Sequence, residues 1–309
     1  MSISHFDLNT LRIFIIAAEC GSLTRAAAAA NITLSAVSKR IAELERNLNC
    51  PLFIRLPRGL ELTTAGHGLL RHARKVLDNV NTMASELGDY AKGALGHVRL
   101  AANVSAVTQF LPEELAHFLQ LNPRLRICLE EALSEAIIES VDTGRVDIGI
   151  FADNVDATAL TTFAWRTDQL VLLVPLGHPV AERDNIDFAD TLVWDYVALN
   201  HGSSLLRRIT DAALSAGRVL KINIQVTSFD AVCRMIQAGL GIGILPLKAI
   251  TPALLGSSLK AIPLNDNWAL RTLRLGIHAK NPLQPEAQKL LDYLMNASVF
   301  TTRPSGELS

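Results

Sequence analysis

Two short helical patterns joined by a tight turn constrain this chain more than any other feature. Apolar residues recur at helical spacing over positions 7–19, at Leu8, Leu11, Ile15 and Ala18. This spacing predicts a first amphipathic helix, which Gly21 ends. Ser22 is a good N-cap for a second helix over 23–30. That helix carries alanine at every position from 26 to 30, and the small alanine side chain lets another helix cross close by.

A third helix is predicted over 34–48, with Thr33 as its N-cap. Its predicted buried stripe consists of Leu34, Val37, Ile41, Leu44 and Leu48. Ser35 and Lys39 point away from this stripe, at roughly 100° per residue. The outward face near the start of the helix is therefore small, hydroxylic and basic, and it suits a DNA major groove about 12 Å wide. The candidate DNA-contacting residues on it are Ser35, Ala36, Ser38, Lys39 and Arg40.

Two short apolar runs, 52–56 and 60–62, flank the segment 57–59 and predict a β-hairpin. Arg55 and Arg58 would lie at its tip, where they are suited to contacts with the DNA backbone. A solvated turn is the alternative for either arginine. The order helix, turn, helix, hairpin is typical of an all-α winged helix-turn-helix domain, which places one helix in the major groove of double-stranded DNA.

Short motifs run through residues 6–66 at consistent spacing: Leu11–Phe14, Gly21–Ala27, Ser35–Ile41, Leu44–Glu45, Leu52–Arg55 and Leu62–Gly66. These motifs resemble the N-terminal domain of the LysR-type transcriptional regulators. The resemblance implies a DNA-binding regulator that acts on promoter operators as a homodimer or as a homotetramer. It also implies a small-molecule effector and, as a further partner, RNA polymerase.

The charge of the chain is placed unevenly along the sequence. The net charge is −1, yet residues 1–75 hold ten Lys or Arg and five Asp or Glu. The basic end coincides with the predicted DNA-binding segment, as the negative phosphate backbone requires. This excess of positive charge is modest, so we expect several copies of the domain to bind DNA together.

The first residues, 1–7, lack the charged and apolar regions of a signal peptide. No apolar run approaches the ~20 residues of a membrane span. We therefore expect a cytoplasmic protein with no membrane partner. The cysteines at positions 20, 50, 128 and 233 are scattered without a Cys-x-x-Cys pair, which predicts reduced thiols. A redox pair of Cys128 and Cys233 is the alternative.

A long helical pattern follows from Thr64 to about Tyr90. Its apolar residues recur at alternating steps of four and three, at Leu69, Ala73, Val76, Val80, Met83 and Leu87. This heptad repeat predicts a coiled-coil seam between two subunits. A stripe that packs on its own domain is the alternative. In the family resemblance, this segment is the linker helix that pairs two subunits.

From His97 onward, strands and helices alternate, which predicts an α/β domain with a mainly parallel sheet. A weak similarity between residues 144–151 and 239–246 favours two lobes, although chance similarity of two α/β units explains it as well. The resemblance implies a two-lobed effector domain similar to periplasmic solute-binding proteins. The expected division is a DNA-binding domain 1–66, a linker helix 67–92 and an effector domain 93–309, with lobe I at about 97–166 and 271–300 and lobe II at about 167–270.

Polar residues follow several predicted strands at the point where a helix begins. In open α/β sheets, ligands bind beyond the carboxyl ends of strands, near helix N-termini that attract anions. We therefore expect a cleft for a small anionic effector such as a carboxylate. Ordinary N-capping is the alternative for any one Ser or Thr. The candidate effector-binding residues are Asn103, Ser105, Ser134, Phe151, His201, Ser203, Ser204, Thr227 and Ser228.

Signals of catalysis are weak in this sequence. The eight histidines show no metal-binding spacing, and no nucleophile elbow or phosphate loop is present. The glycine-rich segment 239–243 leads into a strand instead of from a strand into a helix, so it does not fit a dinucleotide site. We expect no enzyme, no cofactor and no metal. A solute-binding protein, or an α/β enzyme with a helical accessory domain, is the alternative.

Overall fold

The computed structural model describes residues 6–56, 59–91 and 96–300. The chain divides into two compact units, Met1–Gly93 (unit 1) and Ala94–Ser309 (unit 2). None of the helices in the described ranges combines the length and the apolar character that a membrane span requires.

Unit 1 is built from helices and one β-hairpin. Its elements are α1 (Leu8–Cys20), α2 (Leu23–Ala30), α3 (Leu34–Leu48), β1 (Phe53–Leu56), β2 (Gly59–Leu62) and α4 (Thr64–Ala91). Phe14, Val37, Ile41 and Leu44 lie at the centre of its hydrophobic core. The predicted winged helix-turn-helix followed by a long helix is therefore present.

The first helix buries a different face from the predicted one. Its buried residues are Leu11, Ile13, Phe14 and Ala17. The predicted core residue Leu8 is exposed, so that part of the prediction is wrong. All residues from 13 to 18 are apolar, and such a run fits more than one helical phase. Packing selects the face that carries Phe14, whose ring lies 5.3 Å from that of Phe53 on the hairpin.

Local side-chain chemistry sets the helix boundaries of unit 1. Asp7, Ser22 and Thr33 each accept a hydrogen bond from a backbone N–H in the first turn of the helix that follows. Gly21 and Asn31 end α1 and α2 in the left-handed region, both at φ 56°. These boundaries define the short turn between α2 and α3.

The hairpin is fastened to α3 through backbone groups. Strands β1 and β2 pair antiparallel, with Phe53 opposite Leu62. The Glu45 carboxylate on α3 accepts hydrogen bonds from the backbone N–H of Leu52 at 2.7 Å and of Phe53 at 3.1 Å. Glu45 therefore positions the hairpin, a role that its place in the sequence does not indicate.

Unit 2 alternates strands and helices. Its strands are β3 (Gly96–Ala102), β4 (Leu125–Glu131), β5 (Ile148–Ala152), β6 (Leu160–Pro175), β7 (Tyr196–Leu199), β8 (Ile222–Val226), β9 (Gly243–Pro246), β10 (Leu259–Pro263) and β11 (Leu270–His278). Its helices are α5 (Val104–Gln109), α6 (Leu111–Leu121), α7 (Ser134–Asp142), α8 (Phe188–Thr191), α9 (Ser204–Ser215), α10 (Phe229–Gln237) and α11 (Pro285–Phe300).

The large sheet of unit 2 is mixed, so the expected mainly parallel sheet is wrong. Its order is β10-β6-β11-β5-β3-β4, and β9 also pairs with β6. Strand β3 runs parallel to β4 and β5, whereas β6 runs antiparallel to β9, β10 and β11. The sequence predicts a strand only from Leu170, whereas β6 begins at Leu160, because polar residues such as Thr161, Arg166 and Gln169 interrupt the apolar pattern of its first half.

Unit 2 contains two large hydrophobic cores, here called core I and core II, and a smaller buried cluster around Phe151. Core I contains Val98, Phe118, Ile150 and Leu290 among its members. Core II contains Leu172, Tyr196, Ile209, Val232 and Leu245 among its members. The first half of β6 pairs with β11 beside core I, and its second half contributes to core II. One continuous strand therefore links the two cores.

The sequence pattern from Val107 to Leu121 predicts one helix, whereas the structure has two helices in this region. α5 ends at Gln109 and α6 begins at Leu111, with Phe110 between them in a non-helical conformation. Pro112 lies in the first turn of α6, a position that proline favours because its missing N–H has no intrahelical partner there. This proline was a readable signal of the break.

Candidate nucleic-acid interface and ligand cleft

The first two turns of α3 present a polar outer surface. Ser35 is exposed, and the Lys39 side chain is 75% exposed. Ala36 and Ser38 are half-buried at the margins of the same surface. Lys39 Nζ lies 4.0 Å from Glu43, an exposed ion pair of the kind that contributes little stability. The Lys39 ammonium therefore remains accessible to an external anion.

Arg40 differs from its neighbours because it contacts α1. Its guanidinium donates to Asp7 Oδ2 and to Thr10 Oγ1, both at 3.2 Å. Hydrogen bonds from Thr10 lower the pKa of the Asp7 carboxyl, and the charge of Arg40 acts in the same direction. Arg40 thus links α3 to the start of α1, and part of its hydrogen-bonding capacity is used within the unit.

The predicted stripe of α3 is correct at its centre and wrong at its start. Val37, Ile41 and Leu44 are buried. Leu34 is 46% exposed and does not belong to the core. It is the first residue of α3 and precedes the first buried residue of that helix, Val37. In the hairpin, Arg55 lies in β1, while its side chain and all of Arg58 lie outside the described residues.

The heptad stripe of α4 divides into two parts. Ala73 is buried in the core of unit 1, and Leu69 packs against that core. Val76, Met83 and Leu87 are exposed. Val80, between them, is half-buried. The start of the stripe therefore packs on its own domain, and the rest forms an apolar face on a helix that extends beyond the core.

A cleft in unit 2 lies between residues of core I and core II elements. It holds about 660 Å³ of empty space, part of it open to solvent. Its lining residues are Asn103, Val104, Ser105, Glu131, Ala132, Leu133, Ser134, Leu199, Asn200, Ser203, Ser204, Leu205 and Thr227. The ends of β3, β4, β7 and β8 and the starts of α5, α7 and α9 thus meet at one place. The candidates Asn103, Ser105, Ser134, Ser203, Ser204 and Thr227 all line this cleft.

The remaining effector candidates lie elsewhere. Phe151 is fully buried beside Ile137 and Val141 of α7, so it is a core residue. His201 is exposed and Ser228 caps α10 by accepting from the N–H of Ala231, and neither lines the cleft. The sequence places a residue at a strand end, but the direction of its side chain depends on the packing.

Asn103 combines capping with an unused donor in the cleft. Its Oδ1 accepts a hydrogen bond from the N–H of Ala106 at 3.0 Å. Its Nδ2 is buried and finds no hydrogen-bond partner within the described ranges. Ser203 also caps, accepting from the N–H of Leu206 at 3.5 Å. Capping and cleft lining are therefore compatible, and a buried unpaired N–H donor favours an acceptor in the cleft.

A buried ion pair lies next to the cleft and contacts its lining. Arg271 on β11 lies opposite Asp168 on β6, and its guanidinium contacts both carboxylate oxygens at 2.6 Å. Arg271 also donates to Ser105 Oγ at 2.7 Å, and Gln109 donates to Asp168 at 2.9 Å. No pattern in the sequence indicates this network, because residues 103 apart in the chain give no local signal of pairing.

Polar contacts also connect the two sides of the cleft. Arg207 on α9 pairs with Glu135 on α7, and Arg208 pairs with Asp153 after β5. Asn154 donates to the carbonyl of Ser204 at 2.9 Å. The start of α9 is therefore attached to α7 and to the segment that follows β5.

The cysteines form no disulfide bond in the described ranges. Cys128 is exposed on β4 and Cys233 is buried in core II, and both are free thiols. No group of three or more His, Cys, Asp or Glu side chains is arranged to hold a metal ion there.

Two family models match the chain over nearly its whole length. The model described as "Bacterial regulatory helix-turn-helix protein, lysR family" matches residues 8–67. The model described as "LysR substrate binding domain" matches residues 91–298, more than half of the chain. The chain belongs to the LysR family. It is a LysR-type transcriptional regulator with an N-terminal helix-turn-helix and a C-terminal substrate-binding domain, which confirms the resemblance found in the sequence.

Curated relatives align with this LysR-family chain over most of its length. A probable RuBisCO transcriptional regulator of Synechocystis sp. is 30% identical over 285 residues, which are 90% of this chain and 82% of the relative. The uncharacterized HTH-type transcriptional regulator YbhD of Escherichia coli is 28% identical over 292 residues, which are 94% of this chain and 91% of YbhD.

Solved structures share the fold. Full-length CbnR complexed with its target DNA is 20% identical, with a TM-score of 0.75 over 95% of this chain and 100% of CbnR. The regulatory domain of Synechocystis CcmR in complex with 2-PG is 22% identical, with a TM-score of 0.61 over 66% of this chain and 97% of that domain. The expected fold class, a winged helix-turn-helix with a two-lobed α/β effector domain, is confirmed.

Proposed function

We propose that this regulator contacts operator DNA through the start of α3 and the hairpin, and that a small anion in the cleft of unit 2 controls it. One observation carries the DNA contacts: Ser35 and Lys39 lie exposed on a helix that buried Val37 and Ile41 hold in place. Ala36, Ser38 and Arg40 lie beside them, and Arg55 and Arg58 of the hairpin complete the proposed contact set.

Lys39 tests the DNA contacts. Mobility-shift measurements would use the full chain and DNA from upstream of its own gene, at several salt concentrations. Lys39→Ala should weaken binding to this DNA and to random DNA, and lower the slope of log K against log salt by about 1. Lys289→Ala on α11 is the matched control, because Lys289 is exposed in unit 2. Unchanged affinity and slope for Lys39→Ala would remove Lys39 from the interface.

The cleft offers hydrogen-bond donors to an anion. The N-cap of α7 is Leu133, which has no side-chain acceptor, so the first N–H groups of this helix are open to an outside acceptor. Asn103 adds its unpaired Nδ2, and Thr227 adds a hydroxyl. Glu131 also lines the cleft, but it is exposed and therefore screened by solvent. We propose that the cleft binds this molecule without converting it.

Thermal unfolding of the full chain tests the effector site. Small carboxylates and 2-PG, the ligand in the CcmR complex, are the probes. A bound probe should raise Tm, because ligands that bind only the folded state stabilise it. Thr227→Val should reduce that rise, whereas Ser228→Ala, which removes a cap outside the cleft, should lower Tm without changing the rise. No rise with any probe at millimolar concentration would contradict an anionic effector and leave the DNA result standing.

The quaternary structure and the division of the chain complete the proposal. The exposed part of the α4 stripe, from Val76 to Leu87, pairs two subunits, and two dimers form a tetramer. Core I and core II define two lobes, and binding in the cleft shifts the balance between their arrangements. We further propose that this DNA-binding regulator acts in the cytoplasm.

A further inference from the structure

An exposed leucine stands at the start of the DNA-facing helix. Leu34 is the first residue of α3 and is 46% exposed, and Ile32 in the preceding turn is 37% exposed. Single exposed leucines are common on protein surfaces. This one differs by its place, because the N-terminal residues of the second helix in a helix-turn-helix are those that meet base edges.

The polar groups around Leu34 are partly engaged with one another. Thr33 Oγ1 accepts from the N–H of Ala36 at 3.3 Å and lies 3.0 Å from Ser35 Oγ. Arg40 is held by Asp7 and Thr10. Leu34 is therefore the exposed side chain in the first turn of α3 that is not engaged in a polar contact of this kind.

The chemistry of the major groove indicates what such a side chain recognises. Each base pair presents polar acceptors and donors there, and thymine alone adds a C5-methyl group. A leucine against a polar base edge leaves that edge without a hydrogen bond, which is unfavourable. A leucine against the thymine methyl group buries apolar surface on both sides.

We propose that Leu34 recognises the methyl group of a thymine in the operator. This inference rests on the proposed DNA contacts of α3 and names one base determinant within them. It predicts a preference for thymine at one position of each half-site, and this preference depends on the methyl group itself.

Selection from a pool of random DNA duplexes tests the inference. The full chain and its Leu34→Ala variant would each be used to enrich binding sites. The wild type should enrich sites with a thymine at a position where Leu34→Ala accepts several bases. Replacing this thymine by deoxyuridine removes the methyl group alone. The replacement should weaken wild-type binding by about fourfold, the effect of burying one such group, and leave Leu34→Ala binding unchanged.

Two controls separate this role from a general effect on folding or on DNA binding. Leu8 on α1 is 43% exposed, close to the value of Leu34, so Leu8→Ala should keep the deoxyuridine effect. Leu34→Gln should move the preference toward adenine, because a glutamine amide pairs with the adenine edge. Equal unfolding temperatures of these variants and the wild type would show that the fold is intact.

The failures of the two proposals are distinguishable. Enriched sites that are the same for wild type and Leu34→Ala, or binding that ignores the deoxyuridine replacement, would overturn the role of Leu34 and retain the DNA contacts. No enrichment of any sequence would overturn both.

Discussion

Single side chains in the cleft serve structure and recognition at once. Asn103 caps α5 through its oxygen and retains a buried N–H donor, and Ser203 caps α9 while it lines the same space. Capping places a side chain at the start of a helix, and the cleft is built where several helices start. The two interpretations offered by the sequence for these residues are therefore not exclusive.

The thiols of unit 2 are expected to differ in reactivity. Burial raises the pKa of the Cys233 thiol to about 11, and the nearby Asp230 carboxylate adds to the rise, whereas Cys128 is exposed. Because the thiolate is the reactive form, iodoacetamide at pH 8 should label Cys128 quickly in the folded chain and Cys233 only on unfolding. Peptide mass spectrometry along a urea series measures both rates. Equal labelling of the two in the absence of urea would contradict the burial of Cys233.

The raised pKa of Cys233 also makes the stability of the fold depend on pH. The Cys233 thiol ionises near its usual 9.0 in the unfolded chain and at about 11 in the folded chain. The folded state therefore retains a proton that the unfolded state loses, so the contribution of this thiol to stability falls as the pH rises from about 9 to about 11. A Cys233→Ala variant should lack this part of the pH dependence.

At the scale of elements, the contact between α4 and the hairpin requires a glycine. A Cβ atom at Gly66 would lie 2.2 Å from the carbonyl oxygen of Leu52, whereas one at Gly68 would meet nothing within 4 Å. Gly66→Ala should lower the free energy of unfolding by about 1–3 kcal/mol, as overpacking does. Gly68→Ala should raise it by up to about 1 kcal/mol through helix propensity.

Circular dichroism during urea unfolding checks this pair, because helices dominate unit 1. The two variants make the same chemical change in one helix and differ in what surrounds the glycine. Equal effects of both would show that α4 does not pack on the hairpin as described.

The exposed half of the α4 stripe is the element on which dimerisation depends. Val76 and Met83 are exposed within the chain, so aspartate at both positions should leave the subunit folded. Aspartates in a paired seam lose solvation, and we expect the dimer dissociation constant to rise by about 100-fold or more. Sedimentation velocity measures the change, with Asn79→Asp on the exposed surface of the same helix as control. An intact assembly in the double variant would reject the seam.

At the scale of the whole molecule, strand β6 links the two large cores of unit 2. The Arg271–Asp168 pair lies where β6 and β11 face each other, and both side chains are 1% exposed. Arg271 reaches Ser105 in the cleft lining as well. The geometry of the cleft is therefore tied to the strands that join the lobes.

Breaking this pair should destabilise unit 2 strongly. Arg271→Met leaves a buried carboxylate without its partner, and such losses cost about 3–5 kcal/mol. A double variant that combines Arg271→Met with Asp168→Leu should recover most of the lost stability, because neither charge of this pair is then left buried. Tryptophan fluorescence during urea unfolding reports on unit 2, since Trp165, Trp194 and Trp268 all lie in it.

An exposed ion pair supplies the control for this measurement. Arg234 pairs with Asp230 on the surface of α10, where solvent weakens the interaction. Arg234→Met should change the unfolding curve little. A small effect of Arg271→Met, similar to that of the control, would contradict a structural role for the buried pair.

The sequence by itself determined the features that depend on neighbours in the chain. Caps such as Ser22 and Thr33, the left-handed ends at Gly21 and Asn31, and the order of elements all follow from local chemistry. The outward direction of Ser35 and Lys39 was predictable too, because Val37, Ile41 and Leu44 mark one unambiguous buried face.

Tertiary structure alone decided what depends on partners distant in the chain. The run of apolar residues in α1 allowed several phases, and packing on the hairpin chose Phe14. The exposure of Leu34, the burial of Phe151 and the pairing of Arg271 with Asp168 likewise depend on elements that come together only in the fold. Helical period and capping act over a few residues, whereas burial and ion pairing depend on what fills the space around a side chain, and a linear pattern does not contain that information.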